Sequence, residues 1–423
     1  MKKTTYLQAI LLTLVMLVSI RSHATERPVQ QVTFNDFLQL VIQNNLEFII
    51  ERYEVTAAEA ALRASKVFQD PELEIILPTF DGDEFGGMPS NIAFEMEVPI
   101  ELFGKRRNRI RQAQAELYAA QAGLDDFMRY LRADAAFVFA DALTKQLILE
   151  RMSLELTQLN ELMEINRALF EVGEIGEVEL IQTRLEARSF TADLFDVRAG
   201  FSELLSEIFY LIGGMPSDSL VFVGEMNLRP PALTFDDLRR QALENRPDLR
   251  MAQHEQEAAR HAMQLARSER FPDISLVAGY HNEEALRPGP GVRAAYAGVI
   301  IPLQFSGFNR GSYLESRARY EQSEQIYRST VLTADVEMRN AWEQLQLLSG
   351  KRMLFTESIL NDAERVRDAV VFSYQRGEVS LLEVFEAQRT LNEIYLNYYE
   401  TLNQHSHSAI ELSRSTGEWF VEF

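Results

Sequence analysis

The chain carries six histidines and no cysteine, which limits the chemistry its side chains can do. His405 and His407 are two residues apart and diverge on a helix. His254 and His261 share a face, but two turns, or roughly 10 Å along the axis, separate them. Neither spacing resembles a ligand pair such as His-Glu-x-x-His. Without cysteine there are no disulfides, thiolate metal sites, thiol nucleophiles or lipid-bearing thiols. No glycine-rich phosphate loop and no nucleophile elbow is present. Carboxylates are plentiful, but with 63 acidic side chains against 42 basic ones a pair of them says little about acid–base catalysis. The sequence predicts no catalytic residue, no cofactor and no resident metal, and points away from an enzyme.

Lys2 and Lys3 precede an apolar run from Ile10 to Ile20 and then Ser22-His23-Ala24. This order predicts a signal peptide over 1–24, cut after Ala24. A membrane anchor is the other reading, although the run is short for about 30 Å of hydrocarbon. No later segment is apolar enough for a transmembrane helix, so any span must be made of strands. Loss of Lys2, Lys3 and Arg21 leaves 42 − 3 = 39 basic against 63 acidic groups, a net charge of 39 − 63 = −24. That acidity argues against nucleic acid or anionic headgroups as partners.

Two elements recur along the chain. Phe170 to Glu186 has an aromatic residue, Gly173-Glu174 and an apolar-acidic restart; Tyr374 to Thr390 repeats this around Gly377-Glu378. Each reads as the tip of a helical hairpin, the glycine supplying a left-handed helix end. Thr33-Phe34-Asn35-Asp36 returns as Thr234-Phe235-Asp236-Asp237, each a capping-box variant. Pro71-Glu72-Leu73 returns as Pro272-Asp273-Ile274, Val98-Pro99 as Ile301-Pro302, and Gly104 as Gly307. The offset grows from 234 − 33 = 201 to 302 − 99 = 203 and 377 − 173 = 204, as expected of one unit copied twice. All 13 prolines lie up to Pro99 or from Pro216 to Pro302, leaving two long tracts free to be helix.

The expected organisation is a first repeat over 25–212, with strands at about 71–80 and 91–100 and a tip at 171–177. A linker over 213–233 follows, then a second repeat over 234–417 with strands at about 272–282 and 292–302 and a tip at 375–380. A tail over 418–423 ends the chain. Leu73, Ile75, Leu77 and Ile92, Phe94, Met96, Val98 alternate with mostly acidic residues. Such alternation suits strands with lipid on one side and water on the other, and equally a half-buried sheet. Four strands are too few to close a membrane barrel, so spanning would need several subunits. Leu149, Met152, Leu156, Leu159, Met163 and Phe170 form a heptad seam interrupted by Asn166. Leu162, Ile165 and Leu169 give a second apolar face, as in a closed palisade of helices. A free-standing helical bundle also fits the helices alone.

The duplicated Val98-Pro99…Gly104 and Ile301-Pro302…Gly307 junctions and the duplicated tips resemble those of the TolC-like outer-membrane efflux proteins, from about Thr33 to Gly417. Val98 to Arg106 further resembles the CzcC-type branch, which serves cobalt-zinc-cadmium efflux. The resemblance implies a mainly α fold with a small β part. Long helical hairpins would form a trimeric α-barrel tunnel, and four strands per chain a shared 12-stranded outer-membrane β-barrel. It implies a homotrimer in outer-membrane lipid, partnered by a periplasmic adaptor (membrane fusion protein) and an inner-membrane resistance-nodulation-division transporter. The segment near 213–233 and the C-terminus would form a belt.

By the same resemblance, Glu383 and Glu386, six and nine positions after Gly377, ring the periplasmic mouth, with Glu179 at the matching place in the first repeat. Gly173, Glu174, Gly377, Glu378, Val379 and Leu381 are implied in adaptor docking, and Pro99, Gly104, Pro302 and Gly307 in the strand-to-helix junctions. Thr25 follows the cleavage site where many members carry a lipidated cysteine. The expected function is a passive outer-membrane exit duct, conducting divalent heavy-metal cations. A duct for organic compounds or type I secretion, and a non-conducting envelope scaffold, are the alternatives.

Overall fold

A computed structural model describes residues 29–77, 92–214, 219–226, 234–283, 292–303 and 309–423. The signal-peptide segment and Gly307 lie outside them. The chain is mainly helical, and the described elements come in the order the duplication predicts. α1 (Phe34–Asn44), α2 (Leu46–Ser65), β2 (Glu72–Ile76), β3 (Ile92–Ile100), α3 (Lys105–Glu171) and α4 (Glu177–Leu211) form the first series. α5 (Phe235–Asn245), α6 (Pro247–Ser268), β5 (Ile274–Glu283), β6 (Val292–Ile300), α7 (Arg310–Leu354), α8 (Leu360–Gln375) and α9 (Leu381–Thr416) form the second. A π turn, Phe355–Ile359, joins α7 to α8 and has no counterpart in α3. α3 holds 67 residues, about 100 Å at 1.5 Å per residue. No described helix is long and apolar enough to cross a membrane.

Two short strands, β1 (Val29–Val32) and β4 (Ser219–Phe222), were not expected from the sequence; they pair in parallel. The four expected strands form one sheet, and among the described residues this pair is additional to them. Each added strand has only four residues, too few to show alternation, and pairs across 219 − 29 = 190 positions.

The compact units cut across the repeats. One comprises the described parts of 1–44 and 141–225 with Phe423; the other comprises 45–140 and 226–422. In the first, Val32, Phe37, Val41 and Phe222 are buried, and the Phe37 ring meets Phe222 edge-on at 5.9 Å. The Gln146 amide closes the strand backbone: its oxygen accepts from the Phe222 N–H at 2.9 Å and its NH₂ donates to the Phe222 carbonyl at 3.1 Å. Thr33 and Asp36 cap α1 reciprocally. Asn166, an interruption in the apolar seam, is fully buried and donates to the Thr183 hydroxyl at 2.8 Å. One polar pair in an apolar seam fixes register, because every other register strands a buried amide.

In the second unit, β2, β3, β5 and β6 form one antiparallel sheet in that order. α7 packs against α6 and α9, and α9 against α8. Met338, Ala341 and Leu345 on α7 and Leu391, Ala409, Ile410 and Leu412 on α9 are buried. Leu62 of α2 packs on Ala113 and Leu117 of α3, with Val55, Ala58 and Ile110 around them.

Candidate functional site

The sheet separates its side chains by chemistry. β2 and β3 pair so that Glu72 faces Glu97 and Glu74 faces Glu95. Strand alternation puts all four carboxylates on one face. Directly opposed like charges about 5 Å apart repel, by about 0.8 kcal/mol per pair in a water-like medium. The same face continues across Gly279 to Tyr296, whose hydroxyl donates to Glu95. A Cβ on Gly279 would meet the Tyr296 ring at 2.5 Å, so glycine there lets the ring lie flat across the sheet. The opposite face carries Leu73, Ile75, Phe94, Met96, Leu276, Tyr280 and Val299, all exposed. β2 and β6 are the edges, and neither has a further partner among the described residues. The sheet is therefore acidic on one side, apolar on the other and open at both ends.

The junction after β3 is held tightly. Phe103 and Gly104 both have left-handed backbones, φ 57° and 75°. They turn the chain so that Lys105 is buried, with its Nζ 2.8 Å from Asp273 and 2.7 Å from the Phe271 carbonyl. Asp273 also accepts from the Leu102 N–H at 2.9 Å. Arg106 donates to the Lys66 carbonyl and covers the Phe68 ring, and Arg109 forks onto Glu101. In the Lys105-Arg106 pair, which the second repeat lacks, Lys105 ties the first junction to the segment leading into β5 and Arg106 ties it to the segment after α2. Pro99 sits in β3 opposite Ser275, Pro302 follows β6, and Asn309 takes the left-handed position ahead of α7 at φ 46°.

Both tips end their first helix in the same way. Gly173 (φ 83°) donates to the Phe170 carbonyl and Glu174 to that of Leu169; Gly377 (φ 73°) donates to Tyr374 and Glu378 to Ser373. This is the Schellman arrangement. A Cβ on either glycine would touch nothing within 4 Å, so backbone conformation alone requires glycine. Glu174 and Glu378 are exposed and Val379 is half-buried, whereas Leu381 is buried beside Val384 and Phe385. The exposed apolar residues are instead Val172 and Val178 at one tip and Leu382 at the other. Their signal in the sequence was the repeat itself, since Val178 and Leu382 stand 382 − 178 = 204 apart. Glu383 is turned back into a capping box, accepting from the Ser380 N–H at 3.1 Å and hydroxyl at 3.0 Å. Glu386, one turn on, is exposed, and Glu179 is half-buried.

A buried charge cluster surrounds the C-terminal end of α9. Arg246 is 1 % exposed and reaches Asp248 at 2.7 Å, Glu337 at 3.0 Å and the Ser415 carbonyl at 3.0 Å. Arg129 reaches Asp126 at 2.6 Å and the Arg414 carbonyl at 2.8 Å. Arg414 forks onto Glu411 and stacks on Tyr130. Burial pushes Asp126 above the usual carboxylate range despite Arg129. Burial pushes Asp248 the same way, but Arg246 and Arg129 outweigh it and hold that group low. Sequence reading missed this cluster. Among the described residues, no group of three or more His, Asp or Glu is placed to hold a metal ion.

Residues 238–418 match the family model described as outer membrane efflux protein. The cobalt-zinc-cadmium resistance protein CzcC of Cupriavidus metallidurans is 23% identical over 91% of this chain and 90% of its own. The toluene efflux pump outer membrane protein TtgI of Pseudomonas putida is 21% identical over 94% and 88%. A crystal structure of CusC superposes with a TM-score of 0.76 at 18% identity, over 91% of this chain and 92% of that one. Residues 238–418 thus resemble outer membrane efflux proteins in sequence, and the chain shares the fold of the CusC structure, long helices with a small strand region.

Proposed function

We propose that the protein is the outer-membrane exit duct of a tripartite efflux system, and that it passes divalent metal cations by conduction, without catalysis. The observation that carries this reading is the open sheet. Its exposed apolar face suits lipid, its carboxylate face suits a water-filled lumen, and its unpartnered edges β2 and β6 call for neighbouring copies. Three chains of four strands would close a twelve-stranded barrel, within the range of known membrane barrels. The helices would continue as a periplasmic tunnel.

The finer assignments rest on the same reading. The chain would be exported with a signal peptide cut after Ala24 and would carry no lipid-bearing cysteine. A periplasmic adaptor would dock at the tips around Gly173 and Gly377, and a resistance-nodulation-division transporter would supply the energy. Glu386, with Glu383 and Glu179, would line the mouth; the capping role of Glu383 makes Glu386 the freer charge. Two observations support a cationic cargo: the opposed carboxylate pairs on β2 and β3, and the name of the relative CzcC. The name of TtgI favours organic cargo, and ion selectivity distinguishes the two.

Because the chain has no cysteine, the shared barrel can be tested by pairing one cysteine on β2 (Leu73 or Ile75) with one on β6 (Ala295, Ala297 or Val299). Oxidation in native outer membranes should yield covalent dimers and trimers for at least one pair. Failure of all pairs to cross-link between chains would refute shared closure.

A further inference from the structure

The two segments from junction glycine to tip glycine differ in length by one residue. From Gly104 to Gly173 is 173 − 104 = 69 positions, and from Gly307 to Gly377 is 377 − 307 = 70. The tips do not hold the extra residue, because five residues separate α3 from α4 and five separate α8 from α9. One residue added to a continuous α-helix turns everything after it by about 100°. The second helix must therefore present a rotated face beyond the insertion or absorb the residue locally.

Burial locates the change of register. On α3, Leu131, Ala135, Val138 and Ala142 are buried, and their equivalents at an offset of 203, Ala334, Met338, Ala341 and Leu345, are buried too. At 204, two of the four would fall on exposed Arg339 and Gln346. Further along, Glu155, Leu159 and Asn166 are buried. Their equivalents at 204, Ile359, Ala363 and Val370, are half-buried, whereas those at 203, Ser358, Asp362 and Ala369, are exposed. Met152 still matches Phe355 at 203. The register changes between 355 and 359, the span of the π turn. There the Leu360 N–H donates to the Phe355 carbonyl five residues back, the bond that lets one turn hold an extra residue.

We propose that the π turn Phe355–Ile359 lodges the single residue by which the second repeat exceeds the first, and so restores helical phase for α8 and the tip at Gly377. Beyond the turn α8 keeps its contact with α9, where the Tyr395 hydroxyl donates to Glu364. The turn is a phase corrector: by lodging the extra residue it gives the residues on either side the facing they would have in an uninterrupted α-helix one residue shorter.

Single-residue deletions in the full-length chain test this. Deleting the exposed Glu357 should convert the turn to plain α-helix and leave the melting temperature at the wild-type level. Deleting the equally exposed Glu343 should rotate Leu345 and Ser349 off α9 and lower it sharply. Phase is read separately with Glu364→Cys and Tyr395→Cys joined by a short bismaleimide. Cross-linking should persist at the wild-type yield when Glu357 is deleted. Loss of the cross-link on deleting Glu357, or a loss of melting temperature as large as that from deleting Glu343, would overturn the proposal.

Discussion

Replacing Glu74 and Glu95 by Gln removes one rung of the carboxylate ladder while keeping its shape. A monovalent cation about 5 Å from each carboxylate gains roughly 0.8 kcal/mol per charge in a water-like medium, and screening at about 0.15 M salt roughly halves that. Losing both charges should therefore weaken cation attraction by roughly 0.8 kcal/mol, or about fourfold in local concentration. The cation-to-anion permeability ratio, read from the reversal potential across a planar bilayer in a salt gradient, should fall by a factor of that order. Divalent cations should show a larger fall. Because Glu74 and Glu95 repel each other across the strands, the double variant should fold at least as stably as the parent. An unchanged reversal potential in a correctly folded variant would mean that this face does not line the conduction path. A fall in melting temperature would mean instead that the carboxylates hold the sheet together.

Other expectations follow from individual side chains. Arg246→Ala leaves Asp248 and Glu337 short of a partner in a buried site and should cost about 3–5 kcal/mol, measured by chemical denaturation; a loss under about 1 kcal/mol would contradict the clasp. His405 is fully buried, and burial, with Arg352 adding to it, holds its pKa down at about 4. An unfolded histidine takes up a proton near pH 6.5 and the folded one near 4, so stability should fall by about 3 kcal/mol as pH drops between those values. His405→Gln should flatten that part of the pH profile, and an unchanged slope would refute the assignment. Gly377→Val, at a left-handed position with open space around it, should cost about 1–2 kcal/mol from backbone strain alone and should impair export in cells more than it lowers outer-membrane protein levels. Full export would contradict adaptor docking at this tip.

Much of the fold was legible because local rules and the duplication agreed. Gly173 and Gly377, the strand alternation after Pro71 and Pro272, and the proline-free tracts each pointed to an element that forms. What was hidden depends on partners far apart in sequence. Gln146 satisfies a strand 76 residues away, Lys105 pairs with Asp273, and Arg129, Arg246 and Arg414 meet at the end of α9. Nothing near any of these residues announces its partner. Asn166 looked like a flaw in a seam and is a register lock, since Thr183 that satisfies it lies on the next helix. Of the site, the carboxylates of β2 and β3 could be read as one face. Their rung-by-rung opposition needed the strand register, and the turn of Glu383 into a cap needed the helix start at Ser380.

The claim beneath all of this is that one chain supplies only part of a wall and that several copies enclose a water-filled path through lipid. Single-channel recording of the purified mature protein, paired with its mass in detergent, addresses this directly. A trimer that inserts into planar bilayers and conducts cations in discrete steps is the predicted result. A stable, water-soluble monomer that leaves the bilayer silent would contradict it.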